Sequence, residues 1–300
     1  ISKIKNDSMQ YELIAEELSG DTLFVEVSAT KKDNLEKLKE TILLQAEILD
    51  YVDEYWKFQV LKNKNDYQKN FYGGRIFSDY YNSNFNIKDE NEIYSKYVDE
   101  KNLNKIKLAW NFGLADYSYK NKYFFYLRKY LLNDYLYFFN KKKIKKKELD
   151  FFVAFNYNYS RQTISFQRKQ IKIILGDLFL GKINEYKYHR LLENSKFVIS
   201  PYGWGELAYR DFEAFYNKCL LLKPNMDHLI TWPNFYKKGE TYLDFKWDLT
   251  DILDQVENIK SKKNEFNEIS LNGHINYNKY TSGVDAGNYF LNRIKNLLNE

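Results

Sequence analysis

Between Leu149 and Lys262 short apolar runs alternate with amphipathic stretches, and this alternation constrains the fold more than any other feature. "LDFFVAFNY" reads as a strand and "SRQTISFQRKQIKIIL" as a loop and helix. "EYKYHRLLENS" is a helix and "KFVIS" a strand. "GELAYRDFEAFYN" is a helix, "CLLLKP" a buried strand, "GETYLDFKWD" a strand entry and "LTDILDQVENIKSKK" a helix. Strands joined through helices by short connections predict a parallel sheet covered on both faces. The terminal "GNYFLNRIKNLLNE" is a helix placed to pack back on the preceding part of the chain.

Residues 51–148 are less regular. "YWKFQVL" has strand character, and "FYGGRIFSDYY" sets a Gly73-Gly74 turn before an aromatic run. "LNKIKLAWNFGLADYSY" reads as a strand and loop, and "YFFYLRKYLLNDYLYFFN" has helical spacing. Lys141–Lys147 then places six lysines in seven positions. That run reads as a solvated linker, or as contact with an anionic membrane surface beside an amphipathic helix. Three segments follow: 1–50, 51–148 and 149–300. At 300 residues the chain is long enough for two ordinary domains.

Composition closes several classes. The most apolar stretch, Tyr123–Phe139, is interrupted by Arg128, Lys129 and Asp134, so no membrane span is predicted. The single cysteine, Cys219, excludes an intramolecular disulfide and suits a reducing compartment. The expected location is cytoplasmic, with peripheral contact at the inner membrane face as the lysine run's second reading. The three histidines and one cysteine show no metal-ligand spacing, so no metal is expected. Residues 1–50 carry six lysines against eleven acidic groups, and the rest of the chain is basic. A basic body suggests an anionic partner, and nothing points to nucleic acid. Ile1 in place of an initiator methionine reads as a truncated start.

"SPYGWGELAYRDFEAF" (Ser200–Phe215) concentrates the chemistry. On a helix begun near Gly205, Glu206, Tyr209, Arg210 and Glu213 share one sector. Gly203 and Gly205 allow a tight bend and close approach of a ligand to backbone N–H groups. A helix N-terminus after such a turn favours phosphate, and Arg210 adds charge-assisted contacts. Glu213 is placed to accept from vicinal hydroxyls. Asp211 falls on the buried side and needs a partner. The same residues also fit ordinary surface pairs, Glu206 with Arg210 and Arg210 with Glu213. Gly203-x-Gly205-x-x-Ala208 with Asp227 meets a loose dinucleotide pattern, the basis of a lesser nicotinamide-enzyme reading.

Two resemblances bear on function. "YELIAEELSGDTLFVEVSAT" and "LKETILLQAEILD" resemble the end of the GTP-binding domain of bacterial translation initiation factor 2. There Ser28 and Ala29 would fall in the loop touching guanine. The chain has no G-x-x-x-x-G-K-[ST] phosphate loop, so 1–50 reads as a β-loop-α fragment without GTPase activity. "SKFVISPYGWGELAYRDFEAF" and "CLLLKPNMDHLITWPNFYKKGETYLDFKWDLTDI" resemble glycosyltransferases of group 1 and the exostosin-like relatives.

The second resemblance implies two Rossmann-like domains of the GT-B type facing a cleft. Its C-terminal domain would hold a nucleotide-diphosphate sugar without a cofactor or metal, for transfer to a glycan or lipid-linked acceptor in cell-surface glycan synthesis. By the same resemblance the donor contacts are Gly203, Trp204, Gly205, Arg210, Glu213, Arg161 and Lys223. Arg210 and Glu206 would serve catalysis, although Glu206 lies one residue off the family's spacing. Asp79 and Asp116 stand as candidate bases because they follow expected strands. A non-catalytic nucleotide-sugar or glycan-binding protein is the alternative.

Overall fold

The computed structural model describes residues 49–115, 146–262 and 265–299. The described residues from Trp56 onward belong to one compact unit, separate from the segment that precedes it. The first fifty residues, apart from Leu49 and Asp50, lie outside the described residues, as do Asp116, Tyr123–Phe139 and most of the lysine run.

The larger unit is built on four parallel strands, β4 (Leu149–Phe152), β5 (Ser195–Ile199), β6 (Leu220–Pro224) and β8 (Leu243–Phe245). They lie side by side in chain order. Phe151 pairs with Phe197, Val198 with Leu221, and Leu222 with Leu243. Alternate residues of each strand feed opposite cores, as the two-residue repeat of a strand requires. Val198 and Leu221 join a cluster with Phe152, Leu192, Phe212, Phe215 and Tyr277. Phe197, Ile199, Leu220 and Leu222 join a second, with Ile171, Leu175, Val256 and Ile259. Burial on both faces explains the unbroken apolar runs.

Before the sheet come β1 (Tyr55–Lys57), β2 (Gln59–Leu61), helix α1 (Ile76–Phe85) and β3 (Ile106–Leu108). Helices α2 (Gln162–Leu175), α3 (Glu185–Asn194) and α4 (Tyr209–Tyr216) connect the sheet strands. Strand β7 (Leu229–Thr231) follows β6, and α5 (Ile252–Ser261), α6 (Asn267–Thr281) and α7 (Gly283–Asn299) close the chain. The mixed α/β class with a parallel sheet agrees with the sequence.

The finer architecture is corrected on three points. First, the described residues 56–115 share the core of the main body, and the sheet within this segment is the two-stranded pair β1 and β3. Phe77 and Tyr81 belong to the same cluster as Phe152 and Phe212, and β2 pairs antiparallel with β7. Second, the strand order of the main sheet never reverses. It therefore lacks, among the described strands, the switch point that defines a doubly wound dinucleotide fold. Third, helix α4 starts at Tyr209, so Gly203–Ala208 is an irregular loop.

The expected terminal helix is present, and its Phe290 packs edge-on against Trp110 at 5.2 Å. Helix α6 carries no apolar stripe; its buried positions are Ser270, Gly273, Tyr277 and Thr281. Small side chains there let it approach α4 closely. A Cβ on Gly273 would lie 2.8 Å from the Thr241 carbonyl oxygen and 3.0 Å from the Phe215 ring. In an exposed helix Gly→Ala is worth about 1 kcal/mol of added stability. Here the clash is with backbone, and overpacking of roughly 1–3 kcal/mol outweighs that gain. Gly273→Ala is therefore expected to lower the urea unfolding midpoint; a raised midpoint would contradict this packing.

Candidate functional site

The loop between β5 and α4 leaves the carboxyl edge of the sheet, and buried polar groups hold both its ends. Asp211, in the first turn of α4, is fully buried. It accepts from Ser200 Oγ at 2.5 Å, Tyr236 OH at 2.7 Å and the Ala208 N–H at 3.0 Å. Its Oδ2 also lies 3.0 Å from Lys223 Nζ, within ion-pair range though off the line of a hydrogen bond. The sequence's demand for a partner at Asp211 is met four times over. Lys223, expected beside a ligand phosphate, is fully buried inside this pair. Burial pushes its pKa down, against the opposing pull of Asp211.

Glu206 turns away from the α4 sector assigned to it, because it precedes the helix. It is buried, and its Oε2 accepts from Gln59 Nε2 at 2.7 Å and from Arg75 Nη1 at 3.0 Å. Its Oε1 lies 3.6 Å from His228 Nε2, an ion-pair distance but too long for a hydrogen bond. Burial alone would raise the Glu206 pKa. The Arg75 charge, His228 and the Gln59 hydrogen bond overcome burial and hold it at about 2.

The other candidates occupy distinct places. Arg161 donates to the Gly73 carbonyl and, at 3.3 Å, to Asp89 Oδ2. Asp89 also receives the Thr163 N–H at 2.9 Å. Asp79 Oδ1 accepts the Tyr72 N–H at 2.9 Å, tying the Gly73-Gly74 turn to α1. Both glycines take left-handed φ of +69° and +68°. Arg210 and Glu213 meet through Tyr188, whose hydroxyl donates to Glu213 Oε2 at 2.6 Å and accepts from Arg210 Nε at 3.3 Å. Burial is the main force pushing the Tyr188 pKa up.

Gly203 and Gly205 both lie against guanidinium groups. A Cβ on Gly203 would be 3.3 Å from Arg168 Nη2, and one on Gly205 would be 3.7 Å from Arg75 Nη2. Trp204 between them is 57% exposed, with Arg161 over its ring at 5.9 Å. Sequence reasoning missed Arg75 and Arg168. Arg168 is buried and donates to the carbonyls of Tyr202 at 2.6 Å and Asn156 at 2.8 Å. It lies over the Tyr159 ring at 4.9 Å. Burial pushes its pKa down to about 10, with Tyr159 opposing the shift and Arg210 adding to it. Among the described residues neither Arg168 nor Arg210 has a carboxylate ion-pair partner, whereas Arg75, Arg161 and Lys223 each have one.

No family model matches the chain. It is similar to translation initiation factor IF-2 of Pelagibacter ubique, 64% identical over 53 residues, 18% of this chain and 7% of that protein. IF-2 of Paramagnetospirillum magneticum is 62% identical over 48 residues, 16% of the chain and 6% of that protein. IF-2 of Rhodospirillum rubrum is 58% identical over 48 residues, again 16% and 6%. The chain thus spans less than a tenth of the length of these curated relatives.

These findings correct the sequence reading. The relatives bear the name of a translation factor, no family model supports a glycosyltransferase, and that assignment falls together with its glycan-synthesis role. The likeness to initiation factor 2 stands, for a short segment. No helix among the described residues is long and apolar enough to cross a membrane. The last lysine of the basic run, Lys147, donates to the Lys218 carbonyl at 2.8 Å and to Cys219 Sγ at 3.1 Å.

The Glu206 cluster yields a pH dependence. A carboxyl whose pKa falls from 4.5 to about 2 on folding stabilises the protein above pH 4.5 and loses that contribution as pH drops towards 2. The amount is about 3 kcal/mol. Glu206→Gln should abolish this part of the acid transition in urea melts between those limits. An unchanged slope would show that Glu206 is not held this way.

Proposed function

We propose that the body formed by residues 56–300 binds a phosphate-bearing small molecule over the Gly203–Gly205 loop. The observation that carries this reading is Arg168, a buried guanidinium with no carboxylate partner among the described residues. A buried charge is costly unless an opposite charge compensates it. Two carbonyl dipoles and a flanking ring ease the cost for Arg168 without neutralising it. Arg210, half-buried and likewise without an acid partner, adds a second cation beside it. A phosphate set against both would form charge-assisted bonds.

Further support comes from the position of the loop at the carboxyl edge of a parallel sheet, where α/β proteins commonly place ligands. The glycines leave room at the backbone, since a side chain at Gly203 would press on Arg168. Glu213, oriented by Tyr188, supplies an acceptor one turn beyond Arg210 for a ligand hydroxyl. The reading is of binding. A match of 53 residues does not extend over this body, and what the relatives' names say of initiation remains a property of those proteins.

Titration calorimetry with inorganic phosphate tests the proposal. Losing one charge-assisted contact is worth about 1.5–3 kcal/mol, so Arg210→Ala should weaken binding at least about tenfold. Arg190→Ala, an exposed arginine on α3, should leave it unchanged. Equal affinity in wild type and Arg210→Ala would overturn the assignment.

A further inference from the structure

His228 is a buried titratable group that the phosphate reading does not use. Its side chain is 14% exposed, and both ring nitrogens are buried without a hydrogen bond. A neutral imidazole presents one donor and one acceptor, and leaving both unmet inside a protein is unfavourable. Ring contacts hold it in place: Trp247 at 4.9 Å, edge to face, and Tyr202 at 6.5 Å. Its carbonyl accepts the Lys62 N–H at 2.9 Å, fixing the backbone ahead of β7.

The nearest charge is the Glu206 carboxylate, which is shared. One oxygen takes Gln59 and Arg75, and the other faces His228. Arg75 in turn lies against Gly205 with its side chain 33% exposed. One carboxylate therefore connects a buried imidazole to a guanidinium at the edge of the loop. We propose that His228 is a proton-controlled positioning residue: when protonated it draws on the Glu206 carboxylate, loosens the hold on Arg75 and makes that guanidinium available to an anion at Gly205. The inference rests on the phosphate reading for its ligand, but the relay itself does not.

Among the described residues several charged groups face this relay. Glu206 comes from the loop before α4, Arg75 from the turn before α1, Lys57 from β1 and Lys223 from β6. Tyr202 and the neighbouring Asp227 complete the set, and Asp227 is held by Asn225 at 2.9 Å. Glu206 stays ionised throughout the range in which a histidine changes charge, because its pKa is held at about 2. Burial pushes both lysines down, so a His228→Gln variant is needed to separate their contribution.

The experiment uses sulfate, which does not titrate near neutrality, on the full chain from about pH 8 to about pH 5.5, the interval of histidine titration. Wild type should bind sulfate about fivefold more tightly at the acid end, a coupling of ordinary size. His228→Gln should show no such gain. The Arg75 Nε–Hε signal, followed by NMR without ligand, should move with the midpoint of the His228 ring signal and stand still in His228→Gln. The same sulfate slope in both proteins, or an Arg75 signal indifferent to His228, overturns the relay. If sulfate binds at no pH, the phosphate reading fails, and the Arg75 signal still decides the relay by itself.

Discussion

The buried pair of Asp211 and Lys223 is the constraint from which the loop takes its form. Neither group reaches solvent, so removing one partner would strand the other charge in the interior, at a cost of several kcal/mol. Asp211 also receives Ser200, at the end of β5, and Tyr236, beyond β7. Lys223 lies on β6. One carboxylate thus ties the exit of one strand to its neighbour and to the start of α4. It reaches back to the Ala208 N–H as well, which is why the helix begins at Tyr209. Four residues that helical periodicity would have claimed, Gly205–Ala208, are left as loop.

That loop is basic because of how charges are spent around it. Glu206 is committed to Arg75, Asp89 to Arg161 and Asp211 to Lys223. Glu213 receives a tyrosine hydroxyl instead of a cation. Among the described residues Arg168 and Arg210 have no carboxylate ion-pair partner, and the two lie close enough for Arg210 to lower the Arg168 pKa. Formal net charge would not reveal this, since it counts all cations alike. The potential at the loop depends on which cations are neutralised at close range, where Coulomb interaction is strongest.

The sequence disclosed regular structure well where a single period dominated. Strands β5 and β6, and helices α2, α3, α5 and α7, stand where apolar spacing put them. It failed where tertiary contacts set the outcome. The run Gly205–Arg210 has helical spacing, but Glu206 is drawn to Gln59 and Arg75, 147 and 131 residues away. Helix α6 escaped notice because its buried face is made of serine, glycine, tyrosine and threonine. Arg168 looked like one polar residue among several on α2, and nothing local marks it as buried. The glycosyltransferase likeness was read over two stretches between Ser195 and Ile252, yet no family model matches there, because strand–turn–helix segments with glycines, an arginine and a glutamate occur on many sheets; the initiation-factor likeness is upheld by 64% identity over 53 residues.

The placement of 56–115 decides how such a site can work. Gln59, Arg75 and Asp89 organise the loop and Arg161, yet they belong to the segment that the glycosyltransferase resemblance assigned to another lobe. Phe77 and Tyr81 bind that segment into the same core as the sheet. A site made by two lobes gains selectivity by closing on its ligand, and ordering the lobes diminishes affinity. Here the groups arrive in one body, already held by buried hydrogen bonds. Little rearrangement is left for a ligand to drive, apart from side chains with exposed ends such as Arg75 and Trp204. Selectivity must then lie in fixed charge and fixed shape, and the polar clusters beneath the loop are what keep both in place.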